Sequence, residues 1–387
     1  MHIVADENIP FVETLFAAFG KITLLPGRHI QASDVAHADI LLVRSVTKVN
    51  AALLDGSNVK FVGTCTIGID HLDTLYLQQK GITYSSAPGC NAKGVVQFAM
   101  STLATLGLLD HGVNTDKKVA VIGCGNVGGT VLNMLHTLGF DCVGIDPLIS
   151  AEKIAPVKRV PLGDLSDYDM VFCHTPYTTT GNAPTHHLIN AHNLSTLKPD
   201  ALLVNAGRGG VIDNQALLAF LANKDASFAK ENTLNVVLDV WEPEPDMSPQ
   251  LLDKVTLGSP HIAGYSYEGR VNGSLMIHDA LLAFLTRQGV SVQSQRAEVD
   301  AILDQDKPTI TVKHLRDAIL QAYDVRTDDA DLRNAVQGLP ASFDALRKNY
   351  PKRREFSHFN VLIDSSVNDA DKATLLTQLT ALGFGIK

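Results

Sequence analysis

Val119-Ala120-Val121-Ile122-Gly123-Cys124-Gly125-Asn126-Val127-Gly128 is the stretch that decides the fold. Four apolar residues run directly into a G-x-G-x-x-G, and Val131, Leu132, Leu135 and Leu138 follow at helical spacing. The pattern predicts a strand, a tight turn and a helix. In that setting the first glycine permits the turn, the second lets backbone approach a pyrophosphate, and the third lets helix and strand pack closely. The amides of Asn126 and Val127 then open the helix, where free N–H groups and the helix dipole favour an anion. Asp146 ends the next predicted strand, about twenty residues on, where a carboxylate accepts hydrogen bonds from the adenosine ribose and repels a 2′-phosphate. These residues predict a Rossmann site for NAD rather than NADP.

Outward from this point the chain repeats the same grammar. Short apolar strands are expected at 119–123, 142–146, 170–174, 202–205, 236–239 and 256–259, most of them separated by helical stretches. Such alternation predicts a doubly wound parallel sheet. Residues 1–92 read as a second Rossmann-like lobe, with strands at 2–5, 40–43 and 60–63. The loop Ala87-Pro88-Gly89-Cys90-Asn91 reads as a hinge before a long apolar helix beginning near Ala92. A helix around 261–285, including His278, Ala280, Leu281 and Phe284, is expected to return to the first lobe, so that 262–286 completes it and 93–261 forms the nucleotide domain. From 287 to 387 the texture becomes more charged, with strand-like 310–312 and 361–363 and a helix at 314–323, as in a small α+β domain. The stretch 224–233 reads as a short insertion.

A net charge of −9 argues against general nucleic-acid binding. The N-terminal residues carry neither a basic region nor a long apolar run, so no signal peptide or membrane span is expected. The cysteines Cys65, Cys90, Cys124, Cys142 and Cys173 are odd in number, never spaced C-x-x-C and mostly set in apolar runs, as buried thiols of a reducing compartment would be. The expected location is therefore cytoplasmic. No His/Cys group has zinc-like spacing, and no metal is expected.

In open α/β sheets ligands lie beyond the carboxyl ends of the strands. Arg208 follows the 202–205 strand, Glu242 and Glu244 follow 236–239, and His261 follows 256–259. Oxidation of a 2-hydroxy acid needs these types. A neutral histidine takes the hydroxyl proton. A carboxylate orients the imidazole and stabilises the imidazolium. An arginine holds the substrate carboxylate and polarises the nascent carbonyl. A single histidine among 14 is more often structural, and it is the convergence on one sheet edge that singles out His261. Spacing does not choose between Glu242 and Glu244.

The runs Asn205-Ala206-Gly207-Arg208-Gly209-Gly210-Val211-Ile212-Asp213, Leu238-Asp239-Val240-Trp241-Glu242-Pro243-Glu244-Pro245 and Pro260-His261, with the glycine loop, resemble the D-isomer-specific 2-hydroxy acid dehydrogenases over about the first 285 residues. The resemblance selects Glu244 as the partner of His261. Runs at 6–10, 43–50, 87–92, 261–265, 323–326 and 346–350 extend it to nearly the whole chain and narrow it to a branch acting on a small phosphorylated 2-hydroxy acid. It implies that Ser45, Thr66 and Tyr265 contact substrate. Thr175, Asp239 and Gly264 would line NAD with Asn126, Val127 and Asp146. A homodimer held by the C-terminal domain is also implied. The loop Thr66-Ile67-Gly68-Ile69-Asp70 departs from expectation in being apolar beside a polar substrate. Two alternatives stay open: a relative acting on another acid such as 3-phosphoglycerate, and a non-enzymatic NAD-sensing scaffold.

The tail also concentrates positive charge at Arg347, Lys348, Lys352, Arg353 and Arg354. A solvated basic surface is the ordinary reading. The sharper expectation is that Arg353 and Arg354 lend charge to the substrate phosphate, across a dimer interface.

Overall fold

The computed structural model describes residues 1–109, 116–227 and 234–387, so most of the 224–233 insertion lies outside the described residues. The chain divides into two compact units, Met1–Asn91 with Ser266–Lys307, and Ala92–Tyr265 with Pro308–Lys387. The boundary at Asn91 falls at the end of the expected hinge loop.

The first unit carries a five-stranded sheet: β1 His2–Asp6, β2 Lys21–Leu25, β3 Ile40–Val43, β4 Phe61–Thr64 and β5 Thr83–Ser85. Their order is β2-β1-β3-β4-β5 and every pair is parallel. Because successive side chains point to opposite faces, the strands feed two cores. Ile3, Ala5, Ile40, Leu42 and Phe61 pack with Val271, Leu275, Ile277 and Leu281 of the helix Tyr267–Arg287. Val4, Leu41, Val43 and Val62 pack on the other face with Leu53, Leu54, Tyr76 and Leu77. The helix expected at 261–285 thus begins at Tyr267 and completes this unit, while 261–265 is loop.

The second unit carries seven parallel strands: β6 Lys118–Ile122, β7 Asp141–Ile145, β8 Lys158–Arg159, β9 Met170–Cys173, β10 Leu202–Asn205, β11 Asn235–Leu238 and β12 Leu257–Gly258. Their order is β12-β11-β10-β9-β6-β7-β8, reversing direction between β6 and β9. Burial on both faces explains why β9 and β10 read as unbroken apolar runs. Val119, Val121, Phe172, Val204 and Val237 enter one core, and Ala120, Ile122, Val171, Cys173, Leu203, Val236 and Leu238 the other.

The C-terminal segment contributes a three-stranded parallel sheet, β13 Thr309–Val312, β14 Asn360–Ile363 and β15 Gly385–Ile386, in the order β13-β14-β15. Three short strands enclose little apolar surface. The segment accordingly shares a core with the nucleotide unit: Val312, Ile319, Val325, Phe356, Val361 and Leu379 join the cluster holding Phe98, Met100 and Leu135. All five cysteines are free, and burial pushes the thiols of Cys65, Cys124, Cys142 and Cys173 up to about 12. Among the described residues no helix is long and apolar enough to cross a membrane.

Candidate active site

The crevice for a dinucleotide in this topology opens where the strand order reverses, beyond the carboxyl ends of β6 and β9. The glycine loop leaves β6 there and Thr175 leaves β9. Gly123 has φ 83°, and a Cβ on it would stand 2.7 Å from the Thr175 amide nitrogen. A Cβ on Gly128 would stand 1.9 Å from the Gly123 carbonyl oxygen, so only glycine lets the helix Asn126–Thr137 start so near the strand. A Cβ on Gly125 would meet nothing within 4 Å. The middle glycine therefore faces open space, as one that admits a pyrophosphate must. No side chain caps the helix that Gly125 begins, leaving its first amides to a ligand.

Asp146 follows β7 directly. One carboxylate oxygen accepts from the Cys124 amide at 2.9 Å and the other from the Leu148 amide at 2.9 Å, which fixes the carboxylate at the rim of the loop. Thr175 is buried, yet its Oγ1 has no hydrogen-bond partner among the described residues. A buried hydroxyl is costly to leave unpaired, so this orphan fits a site that a bound group completes. Together with the open glycine face, the residues present fit NAD.

The candidate catalytic residues Arg208, Glu244 and His261 come from three loops on the same edge. Asn205, fully buried at the end of β10, shapes the turn that carries Arg208. It donates to the Arg208 carbonyl at 3.0 Å and accepts from the Gly207 amide at 3.1 Å. The Arg208 guanidinium in turn donates to the Gly207 carbonyl at 2.9 Å. His261 has φ 57°, an uncommon backbone state held by its amide, which donates to the Asp239 carbonyl at 2.7 Å. The buried Asp239 carboxylate ties down the rest of this loop, accepting from the Ile262 amide and Ser259 Oγ at 2.7 Å each and the Ala263 amide at 2.9 Å. Asp239 thus acts on the histidine loop with its carboxylate. Gly264 lies in the same loop.

His261 Nδ1 lies 2.7 Å from Glu244 Oε2, while Glu244 Oε1 accepts from the Trp241 amide at 2.9 Å. Glu242 meets a different histidine, His187, whose Nε2 lies 2.9 Å from its Oε2. Burial works to raise the Glu244 carboxyl, but His261, the Trp241 amide and Arg347 outweigh it and hold the group below the ordinary range. Tyr265 packs edge-on against Tyr350, with ring centroids 5.9 Å apart, and the Arg347 guanidinium carbon sits 5.7 Å from its ring centre.

The tail departs from expectation at Arg353. The residue is 7% exposed, so it is not a solvated surface cation. Its guanidinium lies 4.3 Å from the Tyr323 ring centre and donates to the Ala263 carbonyl at 2.5 Å. Arg353 is a strut between the tail and the histidine loop of its own chain. Asn205, Ser259 and this role of Arg353 were not legible in the sequence, because each acts through a hydrogen bond whose partner is distant or backbone.

In the first unit, Ser45 is exposed two residues after β3. Thr66 Oγ1 lies 2.8 Å from Thr64 Oγ1, which in turn lies 3.0 Å from His71 Nε2. Arg44 Nη1 is buried without a partner among the described residues. One group among the described residues has metal-ligand donors, His186, His187 and Glu242, with donor atoms within 4.8 Å of one another. Asp213 lies 3.5 Å from His187 Nδ1, so His187 is already held between two carboxylates.

Residues 109–263 match the D-isomer specific 2-hydroxyacid dehydrogenase NAD binding domain, and 298–383 match a family described only as a domain of unknown function. The erythronate-4-phosphate dehydrogenase of Saccharophagus degradans is 56% identical over 386 residues, covering 100% of this chain and 99% of the relative. The chain belongs to the erythronate-4-phosphate dehydrogenase family. The enzyme of that name from Teredinibacter turnerae is 47% identical over 395 residues, covering 100% of this chain and 99% of its own. Among solved structures, a D-lactate dehydrogenase from Aquifex aeolicus complexed with NAD and lactic acid superposes with TM-score 0.58 at 21% identity, covering 74% of this chain and 96% of that one. The NAD-bound 3-phosphoglycerate dehydrogenase of Entamoeba histolytica gives TM-score 0.60 at 20% identity, with 76% and 98% covered. These two likenesses show the shared fold. The matches to erythronate-4-phosphate dehydrogenases run through the tail, whereas these two solved structures cover about three quarters of the chain.

Proposed function

We propose that this chain oxidises 4-phospho-D-erythronate to 3-hydroxy-2-oxo-4-phosphooxybutanoate with NAD, a step of pyridoxal 5′-phosphate (vitamin B6) biosynthesis. The observation that carries the reading is the match to erythronate-4-phosphate dehydrogenases over the full chain, tail included.

The site geometry supports a consistent division of labour. The Glu244 carboxylate can only accept, so its contact with His261 Nδ1 requires the proton on Nδ1 and leaves Nε2 as the base. Nε2 takes the proton of the C2 hydroxyl, and Glu244 stabilises the imidazolium that results. Arg208 holds the substrate carboxylate as a charge-assisted pair. NAD, when bound, accepts the hydride from C2. Gly123, Gly125, Asn126, Val127 and Gly128 would receive its pyrophosphate and Asp146 its adenosine ribose, Thr175 would lie on its nicotinamide side, and Asp239 and Gly264 would line it. Ser45, Thr66 and Tyr265 contact the substrate.

In this reading 1–92 with 262–286 is the substrate lobe and 93–261 the NAD domain, and 287–387, of which residues to Lys307 group with the first unit and the rest with the second, carries the contact of a homodimer. A cytoplasmic setting accords with five free cysteines, and a net charge of −9 with the absence of a nucleic-acid partner.

The test is a single turnover. Stoichiometric enzyme and NAD are mixed with 4-phospho-D-erythronate, 3-phospho-D-glycerate or D-glycerate, and NADH fluorescence is followed, which removes masking by slow product release. A signal with phosphoerythronate that disappears in His261→Ala is expected. A signal with a different acid only would replace the substrate, and silence with every acid despite NAD binding would favour a scaffold.

A further inference from the structure

A four-carbon phosphorylated acid has two separated anionic ends, and one arginine cannot serve both. With Arg208 on the carboxylate, two carbons and one oxygen lie between the reacting carbon and phosphorus, so the phosphate falls within a side chain's reach of the reacting centre. Arg353, which the sequence suggested, is walled in by Tyr323 and Tyr350 and donates to the Ala263 carbonyl. Arg347 lies on the helix Ala341–Lys348, six residues earlier. Its side chain is 21% exposed, and its carboxylate partner Asp344 stands at 4.0 Å, the outer limit of an ion pair. Its Nε is shielded from solvent and has no hydrogen-bond partner among the described residues. The guanidinium stands by Tyr265, four residues past His261.

We propose that Arg347 binds the substrate phosphate from within the same chain and so sets the preference for a phosphorylated acid; this rests on the functional reading above. A guanidinium suits the task because its planar fork pairs two phosphate oxygens at once. A half-buried position strengthens the pair by reducing screening. Burial works against the Arg347 charge, but Tyr265, Glu244 and Asp344 outweigh it and raise the pKa above the ordinary value, while the Tyr265 ring lies 5.7 Å from the guanidinium carbon. The tail then has two distinct cationic roles: Arg353 braces the histidine loop, and Arg347 reads the substrate.

The experiment compares wild type, Arg347→Met and Arg347→Lys on 4-phospho-D-erythronate and on unphosphorylated D-erythronate. Inorganic phosphate is also titrated calorimetrically into each NAD complex. For Arg347→Met, kcat/KM on the phosphorylated acid should fall about 10- to 100-fold, mainly through KM, the loss expected for one charged hydrogen-bonding group. The loss on D-erythronate should be much smaller than on the phosphorylated acid, phosphate binding should vanish, and Arg347→Lys should recover part of both. Equal losses on the two substrates would mean that Arg347 only supports Tyr265 and Glu244, and would overturn the assignment. So would an unchanged preference in Arg347→Met that collapses in Arg44→Met. A wild-type protein inert toward the phosphorylated acid would bring down the functional reading itself.

Discussion

Glu242 and Glu244 sit two residues apart in one loop and take different histidines. Glu244 Oε2 stands 2.7 Å from His261 Nδ1, while Glu242 meets His187 at 2.9 Å. Glu244→Gln should therefore lower kcat by about 10²- to 10⁴-fold, since the neutral amide no longer fixes the tautomer or stabilises the imidazolium. Glu242→Gln should leave kcat close to wild type. Steady-state kinetics on both variants decides this, and a larger loss in Glu242→Gln would reverse the two roles. The residue types at this edge were legible because oxidation chemistry demands them; spacing left the pairing open, since either glutamate satisfies it, and the family resemblance picked Glu244, which the structure places on His261. His174 was not legible at all. It is partly exposed as a residue, but both its ring nitrogens are shielded, and burial lowers its pKa to about 4. Between pH 6.5 and about 4 the unfolded chain binds a proton here that the folded chain does not. His174 therefore contributes stability that is full above pH 6.5 and is lost as pH falls toward 4, by on the order of 3 kcal/mol at most. Burial shifts Asp328 the other way, up to about 6, so stability at a single pH mixes the two groups. The informative quantity is the difference in urea-unfolding free energy between His174→Leu and wild type. It should move in favour of the variant as the pH drops from 7 to 4.5, and a flat difference would refute the role.

The elements most plainly legible in the sequence are those whose strands are buried on both faces, although β13 and β14 were also found from their β-branched residues. β3, β4, β9 and β10 are continuously buried and stand out as apolar runs. The strands that escaped notice, β2, β5, β8 and β15, all lie at sheet edges and are exposed or half-exposed along their length. An edge strand is specified by its neighbour's hydrogen bonds more than by its own side chains, so hydrophobic pattern cannot reveal it. The glycine loop was legible for the opposite reason, since its three glycines answer separate steric demands. Those demands predict different failures. In Gly128→Ala the new methyl would stand 1.9 Å from the Gly123 carbonyl oxygen, so urea unfolding should show a loss of about 3 kcal/mol or more. Gly125 has φ −68° and open space, so Gly125→Ala should unfold like wild type. Its methyl would occupy the volume offered to the pyrophosphate, and calorimetry should show NAD binding weakened by about tenfold or more. If Gly125→Ala binds NAD as tightly as wild type, the pyrophosphate does not approach the backbone there.

At the scale of the molecule, the tail answers to two partners. Its inner side is spent on the nucleotide unit: Val361 and Leu379 are fully buried in the shared core. That explains why composition suggested a separate domain where packing does not, for a change in charge density marks a change of surface and says nothing about whose core lies beneath. The tail's outer side carries Leu362, next in β14 to the buried Val361 and 46% exposed, and Leu376, 39% exposed on the helix Asp369–Leu382. Large apolar side chains left exposed in this way favour burial against a second copy of the same surface. Light scattering on the eluting protein should give twice the chain mass for wild type. Leu362→Asp combined with Leu376→Asp should give a monomer at the same concentration, because a desolvated carboxylate opposes association. NAD affinity should survive, since the glycine loop and Asp146 lie outside this surface, and retained affinity would show that the monomer is folded. A variant that stays dimeric, or a wild type already monomeric, would remove this surface as the interface. It would leave Arg347 acting from its own chain, which does not depend on a partner.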